Sequence, residues 1–176
     1  MAKYGEIART AVLVVAASAA GIGLIKGYEG LGQPAQYTQR AYADPYHGWR
    51  VATICYGHTK GVKKGDTAGL GQCEEFLRSD VASHCKLVYD ALIPHRILLT
   101  QGEQDAYCSF AFNLGKFKGT DSVYGRLIKG DDWGACMGLL RYTQSAGKFS
   151  RGLWNRRYAE YNMCISQLDP KPYGRR

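Results

Sequence analysis

The chain has 176 residues, 45% hydrophobic and 22% charged, which suits one globular domain with a real core, or two small lobes sharing a long helix. Its formal net charge of +8 favours an anionic partner: nucleic acid, acidic lipid or an acidic wall polymer. No zinc-finger spacing and no basic-aromatic motif is present, and the basic residues gather only at Lys60, Lys63, Lys64 and the terminal Arg175-Arg176, so nucleic acid is not expected as a partner.

In chain order, Lys3 and Arg9 precede a charge-free segment, residues 10–25, built mainly of Ala, Val, Gly, Ile and Leu. It is shorter than the roughly 20 residues of a stable membrane span and only weakly apolar. Basic residues before a short apolar run form an export pattern, and Ala17-Ser18-Ala19 resembles a small-residue cleavage site. Three readings stay open: a cleaved signal, a buried core helix, or a segment that anchors in the membrane and later slips out.

From Gly27 to Trp49 the text is loop or short strand, with turns at Asp44-Pro45 and His47-Gly48. Residues 50–56 are β-branched and predict a strand; residues 57–71 are rich in Gly and Lys and predict a turn or hairpin. From Leu70 the period becomes 3.6, with Phe76, Leu77, Val81, Leu87 and Val88 as the apolar stripe of a long helix that Pro94 ends. Thr100-Gln101-Gly102-Glu103 is a capping box that opens a helix closed by Asn113 and Gly115. Shorter helices follow at 122–129, 131–142 and 153–168. The expected fold class is α+β, mostly helical, with a small β-containing N-terminal lobe, a long helix and a helical C-terminal lobe.

The six cysteines, at 55, 73, 85, 108, 136 and 164, include no C-x-x-C pair. That argues against a metal cluster and leaves buried thiols or disulfides, with fifteen connectivities allowed for six bridged cysteines. Disulfides require an oxidising compartment.

Glu29 follows an apolar helix, Asp44 sits in a polar turn, and Thr53 lies on the next strand. Cleaving a glycosidic bond needs this contrast. One carboxyl must keep a proton for the leaving oxygen, which apolar surroundings favour. The other must stay ionised to organise water or stabilise charge at the sugar carbon. Bare, the pair says little; the surrounding text says more. The Glu–Asp–Thr order, Ile54-Cys55-Tyr56-Gly57-His58-Thr59, Ser109-Phe110-Ala111-Phe112-Asn113-Leu114-Gly115 and Gly152-Leu153-Trp154-Asn155-Arg156-Arg157 with Glu160 resemble glycoside hydrolase family 24, the phage lysozymes. Within it the chain is most similar to lambdoid-type endolysins with a signal-anchor-release segment.

The resemblance implies a lysozyme-like fold with its cleft between two lobes in residues 28–176, and a signal-anchor-release segment in residues 1–27. It implies Glu29, Asp44 and Thr53 as catalytic residues, with inversion and carboxyls about 6.5–9.5 Å apart; retention is the alternative. The loops on either side of Asp44 are longer than is usual in the family, and Tyr46, His47 and Trp49 lie there. Tyr46 is a candidate substrate contact, although loop packing is the plainer role for each of the three. Asn113 falls at the cleft or as a helix cap. Arg156 falls against the acid, a role Arg157 can share. His58 and Asp80 match a structural ion pair, and Tyr142 matches a core aromatic.

The resemblance further implies the bridges Cys55–Cys73, Cys85–Cys108 and Cys136–Cys164. It implies a muramidase that cuts the β-1,4 bond of peptidoglycan between N-acetylmuramic acid and N-acetylglucosamine, during host cell lysis. Such an enzyme needs no cofactor or metal and works as a monomer. It reaches the periplasm of the infected bacterium after tethering to the inner membrane. No cysteine precedes Cys55, which argues for conformational control through the N-terminal segment over a disulfide cage. The alternatives are a lytic transglycosylase, a non-catalytic wall-binding protein and a membrane-active basic protein.

Overall fold

The computed structural model describes residues 17–31, 38–44 and 47–169. Helix α1 (Ala19–Glu29) starts at Ser18, whose side chain accepts from the backbone N–H of Gly21. Two short antiparallel ladders follow. Strand β1 (Thr38–Arg40) pairs with β4 (Thr67–Gly69), and β2 (Tyr42–Asp44) pairs with β3 (Gly48–Thr53). In the second ladder Tyr42 faces Thr53 and Ala43 faces Ala52, but Asp44 faces Gly48. The register slip leaves residues 49–51 as a bulge beside Asp44.

The strand expected over 50–56 ends early, at Thr53. Ile54 and His58 exchange backbone hydrogen bonds, each 2.9 Å, and close a tight turn. Cys55 takes a left-handed conformation (φ +57°) in that turn, and Gly57 does the same at +88°. Left-handed backbone is unfavourable for a residue with a Cβ, and the Cys55–Cys73 disulfide ties this one to the next helix.

Helix α2 (Leu70–Leu92) is the spine. Its buried row is Cys73, Leu77, Val81, Cys85, Val88, Ala91 and Leu92. Phe76 is only partly buried, and Leu87 of the expected stripe is exposed. Cys73 to Cys85 pack with Ile25, Ile54 and Tyr56 in one core; Val88 to Leu92 pack with Phe110, Phe117 and Leu139 in the other. One helix therefore contributes to both lobes. A 3-10 turn at Ile93–His95, containing Pro94, ends it.

Helix α3 (Gln101–Leu114) runs through the middle, with both halves of its capping box formed and Gly115 in the left-handed cap. Helices α4 (Tyr124–Leu127), α5 (Asp132–Leu139) and α6 (Arg151–Ile165) complete the second lobe. Helix α5 stops three residues short of the expected Tyr142, whose ring packs edge-on against Phe110 at 4.8 Å. An unanticipated hairpin, β5 (Gln144–Ser145) with β6 (Lys148–Phe149), precedes α6. Its two-residue turn puts Ala146 at φ +48° and Gly147 at +75°, the twist that matches paired strands.

A domain boundary after residue 27 would fall inside α1. Ile25 is fully buried, and Lys26 pairs with Glu74 of α2 while lying over the Tyr56 ring. Residues 17–29 are therefore part of the packed body. Residues 1–16, where the rest of the apolar segment falls, lie outside the described residues, as does Tyr46. Among the described residues no helix is long and apolar enough to cross a membrane.

The packing around two glycines sets opposite expectations. A Cβ on Gly138 would sit 1.7 Å from the Ser122 carbonyl oxygen, so Gly138→Ala should cost about 1–3 kcal/mol. Gly71 on α2 has open space around it, and Gly71→Ala should stabilise by about 0.5 kcal/mol; urea midpoints read both. The hydrogen bond from Lys26 is the main cause holding the Glu74 carboxyl below its ordinary value of 4.5. A lowered carboxyl stabilises the fold above its ordinary value and loses that contribution as pH falls through the folded value. Glu74→Gln should therefore lower stability at pH 7, by under about 1 kcal/mol for so exposed a pair, and match wild type in acid.

Candidate active site

Glu29 is the last residue of α1. Its Oε1 accepts a hydrogen bond of 2.6 Å from Nη1 of Arg156, and its side chain is 24% exposed. The turn after Thr53 meets it from the other side: a Cβ on Gly57 would lie 3.9 Å from Glu29 Oε2. A longer side chain at position 57 would crowd the carboxyl, so glycine serves both the turn and the approach.

Arg156 is fixed from behind. It sits on α6, only 5% exposed, and Nε donates to Oε1 of Glu160 at 3.2 Å. Nη2 donates to the Ser109 carbonyl at 3.3 Å. The hydroxyl of Ser109 donates to Glu160 at 2.7 Å. Burial pushes the Glu160 carboxyl above its ordinary value, and the charges of Arg157 and Arg156 and the hydroxyl of Ser109 oppose that. The guanidinium thus reaches from a fully buried carboxylate to one at the surface, and Tyr28 covers it with its ring 5.7 Å away.

Arg157 does not share the contact with Glu29. It pairs with Glu160 at 3.1 Å and donates to Asn113 Oδ1 at 2.9 Å, with its guanidinium 5.0 Å from the Phe110 ring centre. Burial pulls its pKa down to about 10, with Glu160 acting against it. Asn113, exposed near the end of α3, thus reaches a buried arginine with its amide oxygen and ties α3 to α6.

Asp44 ends β2. Its Oδ1 accepts from the backbone N–H of His47 at 2.7 Å and from His47 Nδ1 at 2.9 Å. Thr53 is buried, and its hydroxyl donates to the Val51 carbonyl at 3.2 Å. Tyr42 links the three positions. It faces Thr53 across the ladder, and Asp44 follows two residues later. Burial raises the Tyr42 phenol, and the negative charges of Glu29 and Asp44 raise it further. Both carboxylates therefore act on the same phenol. Tyr42 belongs to no motif in the sequence; its place two residues before Asp44, on the same ladder, is the signal that marks it.

His58 and Asp80 form a pair of their own between the turn and α2. His58 Nδ1 is 2.8 Å from Asp80 Oδ2, and its ring stacks on Phe76 at 4.3 Å, which joins the turn to α2. The disulfides join Cys55 to Cys73, Cys85 to Cys108 and Cys136 to Cys164, and no cysteine is free. Trp49 is exposed on the bulge, with the Lys64 ammonium 5.2 Å from its ring centre. No metal-binding cluster of His, Cys, Asp or Glu occurs among the described residues.

Arg156→Ala would leave Glu160 with Arg157 as its remaining guanidinium partner and would free Glu29. The expected loss is about 3 kcal/mol of stability, read by urea denaturation. Arg156→Lys should recover part of it, because an ammonium cannot serve three partners in fixed directions.

The phage lysozyme family model matches residues 27–160. An endolysin of Acyrthosiphon pisum secondary endosymbiont phage 1 is 34% identical over 145 residues, 80% of this chain and 91% of that protein. A SAR-endolysin of Pseudomonas phage phiKMV is 33% identical over 119 residues, 65% of this chain and 72% of that protein. Among solved structures, the endolysin from Escherichia coli O157:H7 phage FAHEc1 superposes with a TM-score of 0.68 at 30% identity, covering 88% of this chain and 96% of that one. The chain belongs to the phage lysozyme family.

Proposed function

We infer that the protein is a muramidase that hydrolyses the β-1,4 bond between N-acetylmuramic acid and N-acetylglucosamine in peptidoglycan, as the endolysin that lyses an infected host. The observation that carries this reading is Glu29 at the tip of α1, gripped by a buried arginine and met on its other side by the turn that follows Thr53.

In this reading Glu29 is the general acid that passes a proton to the leaving oxygen. Asp44 is held by the His47 backbone, orients a water on the opposite face of the sugar and takes its proton as it attacks. The Thr53 hydroxyl donates its proton to the Val51 carbonyl, which leaves its oxygen to accept a hydrogen from that water. Attack by water from the far side inverts the anomeric carbon. Fixed partners on both carboxylates support this, because general acid–base work depends on geometry before acidity. Peptidoglycan is the only partner this chemistry requires, and a monomer carries the whole site.

The N-terminal segment serves in this reading as a membrane tether at the inner membrane, from which the protein is released into the periplasm. The relatives named SAR-endolysins support it, as do Lys3, Arg9 and the apolar stretch after them. While tethered, α1 holds Glu29 at the bilayer, away from Asp44 and Thr53. Once free, α1 docks and completes the cleft.

Purified glycan strands test the chemistry. Glu29→Gln should lower the initial rate of reducing-end release at least about 100-fold, the usual worth of a general acid. Full rate in Glu29→Gln would mean that another group is the acid; cell killing that survives Glu29→Gln without any release of reducing ends would leave a membrane-active basic protein as the better reading. Product mass separates a hydrolase, which adds water, from a lytic transglycosylase, which leaves an anhydro sugar.

A further inference from the structure

The helix that ends at Glu29 is fastened at its other end by a carboxylate outside the reacting group. Asp105 lies on α3 and is 3% exposed. Its Oδ1 accepts from the Ser18 backbone N–H at 2.8 Å and from Gln101 Nε2 at 2.9 Å. Its Oδ2 accepts from the Ser18 hydroxyl at 2.5 Å. That hydroxyl oxygen in turn accepts from Gly21 N–H at 3.3 Å, so one side chain caps α1 and ties the cap to α3. One turn later the α1 backbone lies against the same carboxyl: a Cβ on Gly21 would sit 2.7 Å from Asp105 Cγ.

Ile25 and Lys26 press α1 sideways into the body. They hold its C-terminal half; Asp105 holds the other end, gripping the first residues in two directions. A helix rises about 1.5 Å and turns about 100° per residue, so a one-residue slip at Ser18 would swing Glu29 off Arg156.

We propose that Asp105 is a positioning residue for the acid. By holding Ser18 and Gly21 it sets where α1 presents Glu29 to Arg156 and to the Asp44–Thr53 side, and it governs turnover without touching the sugar. The proposal rests on Glu29 being the acid. It also gives Ser18 a role that export processing would destroy: a cut after Ala19 would remove both Ser18 donors. The working enzyme therefore keeps Ser18.

The test uses the full chain, purified glycan strands and initial rates of reducing-end release, well below each variant's melting temperature. Asp105→Ala should lower kcat about 10- to 100-fold with KM within about two-fold, the pattern of a displaced reacting group rather than lost binding. Asp105→Asn should recover much of kcat, since its carbonyl oxygen still accepts from Ser18. Gly21→Ala, with the carboxyl intact, should lower kcat by pushing the helix off α3. If Asp105→Ala does not fold, Ser18→Ala decides, and it should lower kcat several-fold. Wild-type kcat in Ser18→Ala and in Asp105→Ala would overturn the proposal, as would a loss no larger than the unfolded fraction seen by circular dichroism. Glu29→Gln runs alongside: if it keeps full rate, the acid assignment fails, whatever Asp105 does.

Discussion

The structure depends on one buried guanidinium. Arg156 must be where it is because Glu160 is fully buried and needs its charge met, and because the same group then has one amine left for Glu29. The local cluster holds two guanidinium groups, Arg156 and Arg157, and two carboxylates, Glu29 and Glu160. Equal numbers make burial tolerable, the hydroxyl of Ser109 donates to Glu160, and the amide oxygen of Asn113 accepts from Arg157. Three helices meet there: α1 brings Glu29, α3 brings Ser109 and Asn113, and α6 brings the rest. An apolar junction would pack as well, but it would have no reason to aim a carboxyl at the surface.

Helix α1 is an unusual carrier for such a group. Its sequence has three glycines in eleven residues, and each lowers intrinsic helix stability. It buries only Gly21 and Ile25 fully. What makes it a helix is docking: Ser18 caps it on Asp105, Ile25 fills the first core, Lys26 meets Glu74, and Glu29 meets Arg156. Two of those glycines also leave its outer face bare, since a Cβ on Gly23 or on Gly27 would meet nothing within 4 Å. Such a segment is poor at standing alone in water and only modestly apolar. It gains most of its order from the protein surface it docks on.

The parts of this fold legible in the sequence are those whose cause is local. Thr100 and Glu103 announce the start of α3 and Gly115 its end, because caps are made by neighbours in sequence. Pro94 marks the end of α2 for the same reason. Where the cause is tertiary, the reading slips. Leu87 fits the helical period but faces solvent, while Cys85, two residues before it, takes the buried place through its bridge to Cys108. The strand over 50–56 has the right composition to its end, yet the bridge between Ile54 and His58 turns the chain at Thr53. The site shows the same split. Glu29, Asp44, Thr53 and Arg156 were reachable by resemblance to a family pattern. The division of labour between two adjacent arginines was not, because it depends on where Asn113 and Glu160 sit across the α3–α6 contact. Tyr42 and Asp105 carry no motif at all, and only the ladder and the α1–α3 approach reveal them.

The disulfides divide the molecule into what is locked and what is docked. Cys55–Cys73 ties the turn after Thr53 to α2, Cys85–Cys108 ties α2 to α3, and Cys136–Cys164 ties α5 to α6. In an oxidising compartment each such bridge is worth about 2–4 kcal/mol. The turn after Thr53, α2 and α3 are thus locked as one group and α5 is locked to α6, while Ser109 and Arg156 meet across a noncovalent α3–α6 contact. All six cysteines are used, and none is on α1. The helix with Glu29 joins that body through one cap, one buried isoleucine and two ion pairs. Each of these is a reversible contact. The contacts that place Glu29 are therefore of a different kind from the bridges that hold the turn, α2 and α3.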